Sequence, residues 1–180
     1  MYYQVTIPIR SYLKKMIKHH KEVDPFEVTI GRDHYSGIFF NAFSQGHIPR
    51  DYKLDIKNDD GYDQIDIFFN KKLARTNRFF LDNARFKYID QQLIDCFNEK
   101  LFSFLDVSSE FNTKANGIKA NVSRFMHVYG IDESEIKQES LIKKYQRYRF
   151  SKKEKDGRNF HQKRDKDKEM ITSNLTHNCK

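Results

Sequence analysis

Tyr3-Gln-Val-Thr-Ile-Pro-Ile-Arg-Ser-Tyr-Leu-Lys-Lys-Met-Ile-Lys-His-His20 changes its hydrophobic period half-way along. Tyr3, Val5, Ile7 and Ile9 alternate with Gln4, Thr6 and Pro8, the period of two of a strand with one buried face. Pro8 has no N–H to donate to a neighbour, so this strand belongs at a sheet edge, or Pro8 near its end. From Ser11, a residue type that caps helices, Leu13, Met16, Ile17 and His20 fall at i, i+3, i+4 and i+7, and Lys14, Lys15, Lys18 and Lys21 take the other sides. A strand that runs directly into an amphipathic helix predicts an α+β fold.

Working outward, residues 26–30 (Phe-Glu-Val-Thr-Ile) form a short strand-like run closed by Gly31, and the aromatic stretch 34–43 reads as helix. Tyr52, Leu54 and Ile56 then alternate with Lys53, Asp55 and Lys57. Asn58-Asp-Asp-Gly61 supplies turn chemistry, and Ile65, Ile67 and Phe69 alternate with Gln64, Asp66 and Phe68. This pattern predicts a β-hairpin over 52–69. From about residue 82 to 106 neither Gly nor Pro interrupts, and Phe86, Ile89, Leu93, Phe97, Leu101 and Phe104 recur at steps of three and four, which predicts a long helix. Cys96 within it is expected in the core. A further helix from about residue 116 carries Ile118, Val122, Phe125 and Tyr129 on one face and ends at Gly130, where a left-handed cap belongs.

Asp132 and Glu135 then have capping-box spacing, with Ile131 and Ile136 placed as a hydrophobic staple, so a short helix is expected over 132–137. Ile136 and Leu141 are five apart and break the stripe, and a last helix follows over 139–150. Three helices in this order are compatible with a helix-turn-helix unit. The expected organisation is an α+β part over 1–110, a helical part over 111–150, and a disordered basic tail over 151–180.

Length and composition are consistent with this plan. A chain of 180 residues suffices for one ordinary domain with an appendage. The apolar fraction of 38% is low, but 16 Phe and 10 Tyr, each covering roughly 150–250 Å² when buried, supply a core. The net charge of +8 is unevenly placed: residues 1–140 hold 20 Lys+Arg and 20 Asp+Glu, and residues 141–180 hold 13 and 5. A neutral body with a cationic end fits a polyanionic partner.

The cationic end begins on the last helix, Leu141-Ile-Lys-Lys-Tyr-Gln-Arg-Tyr-Arg149. Leu141, Tyr145 and Tyr148 share one side, Lys143 and Arg147 the opposite side, and Lys144 the flank. Such a helix can meet phosphates or enter a major groove. Cations near a helix C-terminus also favour the macrodipole by about 0.3–1 kcal/mol without any partner. The candidate contacts are Lys143, Lys144, Arg147, Arg149, Lys152 and Lys153. After Ser151 the basic residues alternate with five acids and show no apolar stripe, so that stretch is expected to attract phosphates without reading bases. Lys71, Lys72, Arg75 and Arg78 form a lesser cluster.

No Walker A, GxGxxG, GxSxG or HExxH pattern occurs, and the histidines have no partner at ligand spacing. Neither catalytic nor metal-binding residues, and no cofactor, are expected. A signal peptide and a run of about 18 apolar residues are both lacking, so a cytoplasmic protein without a membrane partner is expected.

The segment from Asn116-Gly-Ile-Lys119 through Tyr129-Gly-Ile-Asp-Glu-Ser-Glu-Ile136 to Leu141–Arg149 resembles the C-terminus of small uncharacterised proteins carried by phages and mobile elements of Bacteroidota. Residues 3–20 are similar in tone. The resemblance implies a mobile-element setting inside a bacterial cell and carries neither an activity nor site residues. The expected function is therefore a non-enzymatic nucleic-acid-binding accessory or regulatory protein, with duplex DNA the favoured partner and proteins of the same element as further partners. The alternative is a protein-interaction or virion-assembly component, virion-associated through its basic tail.

Overall fold

A computed structural model describes residues 2–21, 26–28, 34–44, 62–70, 82–111, 117–152 and 154. The fold is α+β. The elements are β1 (Tyr2–Arg10), α1 (Ser11–Lys21), β2 (Phe26–Val28), α2 (His34–Ser44), β3 (Tyr62–Asn70), α3 (Asn83–Phe111), α4 (Ile118–Tyr129) and α5 (138–152). The chain divides into two compact units, Met1–Gln138 and Glu139–Lys180.

In the first unit the sheet order is β1-β3-β2, with β1 antiparallel and β2 parallel to β3. Pro8 accordingly sits on an edge strand of the described sheet. The strand expected at 62–69 is present as β3. Its antiparallel partner is β1, with Ile7 opposite Ile65 and Thr6 opposite Asp66. The other expected hairpin arm, residues 52–57, and its turn lie outside the described residues.

Alternation decides which sheet face is covered. Ile7, Ile9, Ile65, Ile67 and Phe69 are buried, whereas Gln4, Thr6 and Gln64 lie on the opposite side, at least partly open to solvent. Against the apolar face, α1 supplies Tyr12, Leu13, Met16 and Ile17, and α2 supplies Tyr35, Ile38, Phe39, Ala42 and Phe43. The Phe43 and Phe69 rings meet edge to face at 5.3 Å. Burying side chains of this size is the main favourable term in forming such a layer.

Helix α3 begins at Asp82, whose carboxylate accepts the Arg85 N–H at 2.7 Å, the expected chemistry of an N-cap. Ile89, Leu93, Cys96, Phe97, Leu101 and Leu105 are buried, and Phe86 and Phe104 are half-buried at the margins of the stripe. Phe97 lies between Tyr12 of α1 (4.9 Å) and Phe125 of α4 (5.6 Å), so one ring joins three helices. At the end of α4, Gly130 takes φ 62° and ψ 32°. Its N–H donates to the His127 carbonyl and the Ile131 N–H to the Met126 carbonyl, the two bonds of a Schellman motif.

The short helix expected over 132–137 is instead a turn at 133–135. Half of the capping box forms, with the Asp132 N–H donating to Glu135 Oε2 at 2.9 Å. The other half does not form: the Glu135 N–H donates to the Asp132 backbone carbonyl at 3.0 Å, not to its carboxylate. Lys15 Nζ of α1 binds both carboxylates, at 3.1 Å to Asp132 and 2.7 Å to Glu135. The turn is closed over α1, and α5 starts after it.

Candidate nucleic-acid interface

The expected interface lies on α5, in the second unit. At 100° per residue Leu141, Tyr145 and Tyr148 share one side of this helix. Leu141 and Tyr145 are buried and Tyr148 is half-buried. Lys143 and Arg147, one turn apart on the opposite side, are exposed, and Lys144 is half-buried between the two sides.

The described candidate residues do not form one surface. The Arg149 guanidinium stands 6.0 Å from the centroid of the Tyr145 ring, and Lys152 Nζ stands 5.6 Å from that of Tyr148. The two tyrosine rings are themselves stacked at 6.1 Å and 27°. Arg149 and Lys152 therefore rest on the aromatic flank of their own helix, each held by the negative face of a ring. Lys143 and Arg147 point the other way. Lys153 lies outside the described residues, as do Lys71, Lys72, Arg75 and Arg78.

The cations of the first unit are disposed differently. Arg10 donates to Asp90 through Nε (3.0 Å) and Nη2 (3.1 Å), a bidentate pair that holds the guanidinium in its charged form, and it also stands over the Tyr62 ring. Lys14 binds Asp63 at 2.8 Å and Lys15 binds Asp132 and Glu135. These cations hold α1 and β1 to the rest of the fold. By unit, residues 1–138 carry 20 Lys+Arg against 19 Asp+Glu, and residues 139–180 carry 13 against 6.

Two sets of residues escaped the sequence reading. Phe150 is 66% exposed and lies on the same side of α5 as Lys143 and Arg147; its spacing of i+7 and i+3 from them was the available signal. In α4, Lys119, Arg124 and His127 are all exposed, and the helix contains neither Asp nor Glu, which its sequence already displays.

One pair has the composition of a nucleophile and a base: His34 Nε2 lies 3.0 Å from Cys96 Sγ. Burial, and next the charge of Glu99, push the Cys96 thiol up from its usual range. The pair is a contact between α2 and α3, and a raised thiol pKa makes the sulfur a poorer nucleophile. Among the described residues no three His, Cys, Asp or Glu side chains come together as a metal site. No described helix is long and apolar enough to cross a membrane.

Comparison of the chain with protein-family models, curated proteins and solved structures finds no match.

Proposed function

We propose that this protein binds nucleic acid through the exposed side of α5 and acts by binding, without catalysis, as an accessory or regulatory protein of a phage or mobile element. The observation that carries the proposal is the exposure of Lys143 and Arg147 one turn apart in the unit that holds nearly all the surplus charge. Cations placed this way donate to phosphate oxygens of any sequence. They release counterions on binding, so affinity falls steeply with salt. Basic residues after Ser151 add contacts of the same kind, and the proposed partner is duplex DNA.

A salt series with the full chain and a labelled duplex tests this. Lys143→Ala/Arg147→Ala is expected to weaken binding several-fold and to flatten the log K against log [salt] slope by about 1.8, roughly 0.9 for each phosphate contact. No affinity at low salt, or an affinity and slope unchanged by the double substitution, would overturn the proposal.

A further inference from the structure

Phe150 is the observation that the phosphate reading leaves over. A single exposed apolar residue is ordinary on a protein surface. What distinguishes this one is its place. Lys143, Arg147 and Phe150 stand at i, i+4 and i+7, so an aromatic ring and two cations form one stripe on the solvent side of α5, about 10 Å long at 1.5 Å per residue. Glu139 and Glu154 bound the stripe at its two ends and confine it to that length. By contrast, Phe39, Phe43, Phe69, Phe97 and Phe125 are fully buried, and Phe86 and Phe104 are half-buried.

Resting on the nucleic-acid reading of α5, we infer that this helix carries a stacking site for an unpaired base of single-stranded DNA, with Phe150 as the platform and Lys143 and Arg147 on the adjoining phosphates. An aromatic face beside a basic track is the common means of holding a single strand, because every base has a π-face and every link a phosphate. In a duplex both faces of a base are covered by its neighbours, and Phe150 gains contact only after unstacking. The cations serve either form of DNA; the ring favours the unpaired one. The surplus of 13 Lys+Arg over 6 Asp+Glu in residues 139–180 favours a polyanion over an apolar protein groove as the occupant.

The test compares the full chain with its Phe150→Ala, Phe150→Tyr and Lys143→Ala/Arg147→Ala variants on three labelled oligonucleotides of equal length: a single strand, the same sequence as a duplex, and an abasic single strand. Phe150→Ala is expected to weaken single-strand binding about tenfold. It should leave duplex and abasic binding within twofold, while Phe150→Tyr restores the single-strand affinity. Because Phe150 is exposed, circular dichroism of the variant should match the parent. If Phe150→Ala leaves single-strand binding unchanged, or lowers binding to all three alike, the stacking site is overturned. The nucleic-acid reading itself survives those results as long as Lys143→Ala/Arg147→Ala still weakens binding. Absence of binding by the parent chain to every oligonucleotide overturns both.

Discussion

Gly130 ends α4, and Lys15 shapes the turn at 133–135. The left-handed conformation of Gly130 lets its own N–H and that of Ile131 reach back to the last carbonyls of α4. An added Cβ there would meet nothing within 4 Å, so the cost of a side chain is one of backbone conformation alone. Gly130→Ala is expected to destabilise the protein by about 1 kcal/mol, read as a lower urea midpoint with an unchanged m-value. Lys15 contributes through its two carboxylate partners. It ties the turn to α1, while the Glu135 N–H donates to the Asp132 backbone carbonyl where the spacing predicts its side chain. At Arg10 the bidentate pair with Asp90 likewise links distant segments, the end of β1 and α3, eighty positions apart along the chain.

At the scale of elements, α1 is held from below by its apolar face and from the side by Lys14, which binds Asp63 on β3. The hydrogen bond from Lys14 lowers the pKa of Asp63 from its ordinary 3.8. A carboxylate lowered on folding stabilises the native state fully above its unfolded value and loses that contribution as pH falls through the folded one. Asp63→Asn is therefore expected to cost about 0.2–1 kcal/mol at pH 6, the range for an exposed pair, with the difference from the parent shrinking as pH falls through the lowered pKa of Asp63. Thermal melts of both proteins from pH 2.5 to 6 check this, and a constant difference across the range would refute it. Periodicity alone makes α1, α3 and α4 legible, because each buries a stripe at helical spacing. The pairing of β1 with β3 is not legible in that way. The alternation shows that each strand has one apolar face, but many partners satisfy that pattern, and the partner described for β3 lies some sixty residues away.

For the whole molecule the charge partition matters more than the net charge. The described ion pairs of the first unit match cations to carboxylates, and the second unit carries the excess. Removing the residues after Glu154 is expected to reduce the salt slope of DNA binding by about 0.9 for every phosphate contact they supply. The further loss on Lys143→Ala/Arg147→Ala should persist in the shortened chain. If all salt dependence vanishes with the tail, α5 plays no part in binding.

From the sequence alone came the α+β class, the helical stripes, the left-handed cap at Gly130, and the cationic side of α5 with Lys143 and Arg147 opposite Leu141 and Tyr145. All of these depend on neighbours within a turn or two, where covalent geometry sets which side chains share a face. Tertiary structure alone decided that β1 and β3 pair, that Arg10 meets Asp90, and that Lys15 bridges Asp132 and Glu135. Those outcomes depend on which groups compete for the same partner, and that competition is settled only when distant segments are brought together.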